Sequence, residues 1–319
     1  MMQRNKTRPY TVISKRDIDT GTLSRQRGVS IVELMVAMTL GLFLLAALVQ
    51  ILLNGKQAFG SANYLSRLQE NGRIASNLII SDLKRAGYMG GNSNITDISG
   101  SEGQVTPDDT CDTANNTWGR MISEPVFGLN ETSAGYGCIP AGTYLRGDVV
   151  TMRYASPWIA QPPFNANQLY LRSSLFEGRI FKGSDEATNT VLDTPQSVRE
   201  LIAYSYFIGD STRTCNGDVV PSLFRVRLDD TGQPSLAEEL LPGVENLQVQ
   251  YGVNGQYLDA DAVGTWADVD TVRLWLLVRS ECGESGFVDG KTYNLGDQVY
   301  VPNDDFRRQL YSSVVMIRN

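Results

Sequence analysis

The sequence predicts an α+β protein: a long amino-terminal helix, membrane-spanning over its first half and amphipathic over its second, packed on a mainly antiparallel β-sheet domain. Three observations predict it. A mainly apolar run covers residues 29–53, with Glu33 its one charged residue. No proline occurs between residues 29 and 88. From residue 148 onward, β-branched and aromatic residues alternate with polar ones in short runs separated by turn residues.

Bulk composition narrows the function classes. The chain has 319 residues, 42% hydrophobic and 20% charged, which suits a packed core. It contains no histidine. That excludes Ser-His-Asp and Cys-His catalysis, histidine-ligated zinc and imidazole bases together. Residues 1–28 hold seven basic residues against Asp17 and Asp19, a net of +5, so the remainder carries −12 of the overall −7. A basic flank before an apolar helix keeps the amino terminus cytoplasmic and sends the acidic body across. The acidic body also argues against nucleic acid as a partner.

Residues 1–28 read as a polar leader. Residues 29–53 rise by about 37 Å as a helix, more than the ~30 Å hydrocarbon core. An ordinary secretory signal has a shorter apolar core, with its cleavage site after it. Here Gly28 stands before the run and Glu33 lies inside it. A carboxylate at mid-bilayer costs about 2.5–3.5 kcal/mol, so Glu33 needs a reason to be there. Residues 54–88 continue as an amphipathic helix: Leu65, Leu68, Leu78, Ile79 and Leu83 recur at helical spacing among Arg67, Glu70, Arg73, Asp82 and Lys84. Gly41, Gly55, Gly60 and Gly72 allow local bends, and Gly87 followed by Gly90-Gly91 marks the stop.

Residues 89–319 form the predicted exported domain. Residues 90–147 read as an irregular connection with a short strand near Pro125–Leu129. Strands follow at 148–154, 168–172, 200–207 and 223–228, with 236–241 a helical turn or a strand edge. Residues 244–253 then meet the turn pair Asn254-Gly255 and return through 256–258. In the strand at 269–280, Val272, Leu274, Leu276 and Val278 face one way and Arg273, Trp275 and Arg279 the other. Residues 291–301 and 306–318 end the sheet, separated by a turn at 302–305.

Cys111, Cys138, Cys215 and Cys282 all lie on the exported side and contain no CxxC. Disulfides fit better than zinc or redox chemistry. Sequence does not select among the three pairings, but local loop closure favours Cys111–Cys138 and Cys215–Cys282. Asp259, Asp261, Asp268 and Asp270 invite a calcium reading, but their spacing is not that of an EF-hand, and a solvated loop is the preferred account. Asp304-Asp305 before Arg307-Arg308 reads as a turn with surface ion pairs. Trp275 belongs to the core by its strand; Trp158 and Trp266 are either core or exposed adhesive aromatics.

Arg27-Gly28-Val29-Ser30-Ile31-Val32-Glu33-Leu34 resembles the cleavage and methylation motif of type IV pilins and type II secretion pseudopilins. Val29 and Ser30 replace the usual phenylalanine and threonine, while the diagnostic glycine and glutamate match. Residues 65–91, the strand VRLWLLVRS and the ending FRRQLYSSVVMIRN are similar to PilW-like minor pilins. The resemblance implies cleavage between Gly28 and Val29 by a prepilin peptidase and N-methylation of Val29. It implies an assembly role for Glu33, beside the new amine of a neighbouring subunit. The implied partners are the inner membrane, other minor pilins and the major pilin. The implied location is the inner membrane, single-pass with a periplasmic carboxy-terminal domain, and then the pilus. The implied function is priming of pilus assembly, with a place at the tip supporting piliation, twitching and adhesion. The expected cofactor is none, and the protein is expected not to be an enzyme. A type II secretion pseudopilin of the J type, or a membrane-anchored periplasmic enzyme or binding protein, are the alternatives.

Overall fold

A computed structural model describes residues 28–92, 94–100, 111, 117–188 and 195–317. The leader at residues 1–27 therefore lies outside the described residues. The chain divides into two compact units, Met1–Gln57 and Ala58–Asn319, with the boundary inside the first helix.

Helix α1 spans Ile31–Leu83. It begins at Ser30, whose carbonyl accepts from the Leu34 N–H at 3.0 Å and whose hydroxyl accepts from the Val32 N–H at 3.3 Å. Ser30 thereby satisfies donors that a helix start leaves orphaned. In the first unit the apolar side chains are exposed all round. The helix contains a window of mean hydropathy 2.5 and is long and apolar enough to cross a membrane.

In the second unit α1 becomes one-sided, as the spacing predicts. Leu68, Gly72, Ala75, Ser76, Ile79, Asp82 and Leu83 form its buried face. Of these, Leu68, Ala75, Ile79 and Leu83 pack into a core with Val150, Met152 and Tyr206 from one sheet and Leu247, Val272, Leu274 and Leu276 from another. After Leu83 the chain turns at Gly87, whose N–H donates to the Arg153 carbonyl at 3.0 Å.

The larger sheet runs β1 (Ile98–Ser99), β5 (Gly178–Lys182), β4 (Leu169–Ser173), β6 (Ser197–Cys215), β3 (Tyr144–Ile159), β2 (Val126–Leu129), with β7 (Asp218–Arg227) on β6 and β8 (Glu238–Pro242) on β7. Its pairings are antiparallel except for β1 with β5. A second sheet runs β10 (Gln256–Leu258), β9 (Val244–Val253), β11 (Val269–Arg279), β14 (Arg308–Met316), all antiparallel. β12 (Tyr293–Leu295) and β13 (Gln298–Tyr300) form a separate hairpin. The predicted fold class is the observed one. Val272, Leu274, Leu276 and Val278 are all buried on the inner face. The segment around 236–241 is strand β8 rather than a helical turn. Strand β5 and the short helix α2 (Thr117–Arg120) were not anticipated.

The two sheets meet where β3 passes β9. Gly147, at φ +77°, sits so close to β9 that a Cβ there would meet the Leu247 carbonyl oxygen at 2.6 Å. Beside it, the buried Asp148 carboxylate accepts from the Val249 N–H at 2.7 Å and the Glu131 N–H at 3.0 Å.

Candidate assembly segment and its anchorage

The sequence-predicted processing residues occupy the start of the first unit. Gly28 and Val29 are exposed and precede the first helical residue, Ile31. Among the described residues, no atom lies within 4 Å of a Cβ built on Gly28. Glu33 lies in the first helical turn and is exposed. Its carboxylate complements the positive end of the helix dipole, but among the described residues it makes no ion pair. The apolar side chains around it, including Val32, Leu34 and Val36, are exposed too. So the segment presents a bare apolar cylinder carrying one carboxylate within a turn of Gly28-Val29. In chemical terms this is an apolar surface of the kind that lipid or other helices cover.

The carboxy-terminal end of α1 is fixed by a contact that sequence reasoning missed. Asp82 is buried and accepts from the Tyr154 hydroxyl at 2.7 Å and the Tyr206 hydroxyl at 2.6 Å. Arg85 lies 3.3 Å from it. Burial, then the neighbouring Asp82 charge, pushes both phenols above their ordinary range. They stay protonated donors, which is what the carboxylate needs. In sequence, Asp82 looks like any polar residue of an amphipathic helix.

Arg153 is a second missed anchor. Its buried guanidinium donates to the Trp118 carbonyl at 2.7 Å and the Glu124 carbonyl at 2.8 Å, tying α2 and the segment after it to β3. Burial lowers its pKa.

The turn at Asp304-Asp305 corrects an expectation. The pairing there is not a surface one: the Arg308 side chain is wholly buried and reaches Asp304 at 2.5 Å, Glu245 at 2.5 Å and Asp289 at 3.5 Å. Burial alone would lower the Arg308 pKa, but the bonds to Asp304 and Glu245 outweigh it and raise the group. Glu245 and Asp289 are distant in sequence, so the local charge pattern could not reveal them. Arg307 pairs with Glu284, which also accepts from Ser61 on α1.

The cysteines are joined as Cys111–Cys138 and Cys215–Cys282, each with a Cα separation of 5.3 Å. Asp259 accepts from Gln250 at 2.9 Å, and Asp270 accepts from Thr271 at 2.9 Å. Among the described residues, no group of three or more His, Cys, Asp or Glu side chains is placed to hold a metal ion. Trp266 packs with its ring centroid 4.8 Å from both Phe127 and Tyr251. Trp158 is 80% exposed. Trp275 is half-buried against Leu277, Tyr293 and Leu295.

Comparison with known proteins bears on both ends of the chain. Residues 23–49 match the prokaryotic N-terminal methylation motif. Residues 205–319 match Type IV Pilus-assembly protein W, PilW. A type IV-like pilin from Thermus thermophilus aligns over 79% of this chain and 96% of its own, at 14% identity and a TM-score of 0.35. No curated protein matches the chain. The methylation motif on an apolar helix, ahead of an antiparallel β domain, is a pilin-like arrangement. Over its last third the chain is similar to PilW, a family of structural pilins, so the matches support a PilW-like type IV pilin. The motif implies processing by a prepilin peptidase and incorporation with other pilins, and the apolar helix fits membrane anchoring.

Proposed function

We propose that this minor pilin enters the inner membrane as a single-pass prepilin, is processed at Gly28–Val29, and primes pilus assembly from a place at the tip. Residues 1–28 are the removed leader, 29–53 the membrane and assembly half of the helix, 54–88 its amphipathic half, and 89–319 the periplasmic domain. The observation that carries the reading is the uncovered apolar helix with a single carboxylate, Glu33, beside the exposed Gly28–Val29 peptide.

The chemistry follows from that arrangement. Hydrolysis of the Gly28–Val29 amide frees an amine at Val29, which N-methylation leaves cationic. In low dielectric, Glu33 is penalised unless a cation is near it. A neighbour displaced along the filament axis supplies that cation through its own Val29. The pair makes one register of helix docking better than the others, while the apolar side chains provide the packing. The two disulfides suit the oxidising periplasm.

Mass spectrometry of the protein from cells tests the processing. The expected product starts at Val29 and carries one methyl group; an intact leader refutes the reading. A deletion strain tests the assembly role. Lost piliation and twitching with normal exoprotein secretion supports it, and the reverse result assigns the protein to a secretion system.

A further inference from the structure

We infer that the open edge of β14 is a docking site for an extended strand of a different polypeptide, one that places an aromatic side chain over Trp275. The inference stands apart from where in an assembly the chain acts.

β14 ends its sheet. The Ile317 N–H donates to the Asp270 carbonyl at 2.8 Å, which fixes the parity of the ladder. Gln309, Tyr311, Ser313 and Val315 therefore turn their backbone groups to β11. Leu310, Ser312, Val314 and Met316 direct theirs outward, and their amides have no partner among the described residues. Exposed edges are usually protected by charge, proline or a bulge. Beyond Arg308, whose side chain is buried, this one has none of these. Residues 309–317 contain no charged residue and no proline, and β14 pairs with β11 without a register shift. Val314 is 58% exposed and Met316 72%. Such an edge is complementary to a strand.

A groove beside the edge says which strand. It has a volume of about 370 Å³ and is lined by Arg273, Trp275, Ser312, Ser313 and Val314. Trp275 lies opposite Ser312 in the ladder, and Arg273 opposite Val314, so small side chains flank the indole on the β14 side. The Arg273 guanidinium lies 3.8 Å from the Tyr257 ring centroid and 5.7 Å from that of Trp275. The site thus offers an aromatic wall and a cation that stacks on rings. An incoming aromatic side chain meets both.

A second copy of this chain fits less well. On the groove face β14 carries Leu310, Ser312, Val314 and Met316, with no aromatic residue. Tyr311 faces the other way, its hydroxyl donating to the Gln69 carbonyl of α1 at 3.3 Å. Pairing β14 with itself would leave the space over Trp275 unfilled. The −12 charge of the sequence after residue 28 also opposes self-association.

The test is residue-resolved amide exchange on the full chain in detergent micelles. The probe is a capped nine-residue peptide alternating threonine and valine, with a central tryptophan. One control has serine at the centre; another has alternate backbone nitrogens methylated. In the free chain, the amides of Leu310, Ser312, Val314 and Met316 are expected to exchange freely. The tryptophan peptide is expected to slow all four at least tenfold, and the serine peptide to bind at least tenfold more weakly. The methylated peptide is expected to have no effect. Unchanged exchange with the tryptophan peptide overturns the proposal, as does equal slowing by the methylated one. Slow exchange without peptide, together with a concentration-dependent dimer in sedimentation, assigns the edge to a second copy instead. Val314→Pro should abolish binding. Ser312→Trp, an exposed change that fills the groove, should erase the preference for tryptophan while leaving thermal unfolding unchanged. A retained preference in Ser312→Trp refutes the groove assignment even where Val314→Pro fails to fold.

Discussion

A carboxylate at the carboxy-terminal end of a helix meets the negative end of the backbone dipole, so a buried one needs strong donors. Asp82 has them in Tyr154 and Tyr206, and this contact seats α1 on β3 and β6. Asp82→Ala is expected to destabilise the fold by about 3 kcal/mol, because it leaves two buried hydroxyls unpaired. Tyr206→Phe should cost less, about 1–2 kcal/mol, since one donor remains. Urea unfolding of the detergent-solubilised chain measures both, and an Asp82→Ala loss no larger than that of Tyr206→Phe would remove the anchoring role. Asp148 makes a pH prediction. Burial, with Glu131 and Asp297 adding to it, outweighs its backbone bonds and raises its carboxyl to about 7. A carboxyl raised on folding stabilises the fold fully below its unfolded value of about 4, and that stability is lost as pH rises through 7. Stability is therefore expected to fall between pH 4 and 7 through this group, by a few kcal/mol at most. Asp148→Ala should flatten that slope, and a carboxyl-carbon NMR titration should place the midpoint near 7. At this scale, the methylation motif around Gly28 and Glu33 was legible because a carboxylate in an apolar run has few explanations. Asp82, Asp148 and Arg308 were not. Their partners lie on other strands, and a charged residue reads the same in sequence whether it meets water or a buried donor.

Among the elements, α1 was the most legible. Its apolar run, its lack of proline and its one-sided second half are all local properties, and the helix ends at Leu83, just ahead of the expected stop at Gly87. The glycines within it needed the structure. Gly72 was read as a possible bend, yet the helix is continuous there. The reason for the glycine is close approach: a Cβ at this position would overlap the Tyr311 ring of β14. Alanine favours a helix by up to about 1 kcal/mol over glycine. Gly72→Ala is nevertheless expected to destabilise by about 1–3 kcal/mol, because overpacking dominates. Gly60→Ala has open space and should be neutral or stabilising by up to about 1 kcal/mol. Equal effects of the two changes in urea unfolding would contradict the packing account. In the first unit, Glu33→Ala should leave leader cleavage intact and impair piliation, because the Gly28–Val29 peptide is unchanged while the docking charge is lost. Normal piliation would refute the pairing with Val29. Strand β5 escaped notice for a physical reason too. GRIFK is too short to show a period of two, and its place is set by β4 and β1 rather than by its own pattern.

At the scale of the second unit, the question is what holds two sheets to one helix. The shared core does most of it, with α1 contributing to a cluster drawn from both sheets. Cys215–Cys282 adds a covalent link between them: Cys215 ends β6 in the larger sheet, and Cys282 follows β11 in the smaller one. It closes 67 residues, whereas Cys111–Cys138 closes 27 near the start of β3. In the chain-entropy account, loops of these lengths stabilise by about 4 and 3.5 kcal/mol. The lengths alone separate the two by less than 1 kcal/mol, so position must decide which loss matters more. Cys111 and Cys138 lie in a cluster of their own with Trp118, Phe127 and Phe207, which goes on burying that segment after reduction. Cys215 lies at the far end of β6, where Arg213 and Thr214 are exposed and fewer contacts replace the bond. Replacing Cys215 and Cys282 by serine is therefore expected to lower the unfolding midpoint more than the same change at Cys111 and Cys138. It should also speed amide exchange in β7 and β8, the strands beyond the lost link, before it affects β3. Exchange that quickens uniformly in both sheets would show that the core, not the bridge, couples them.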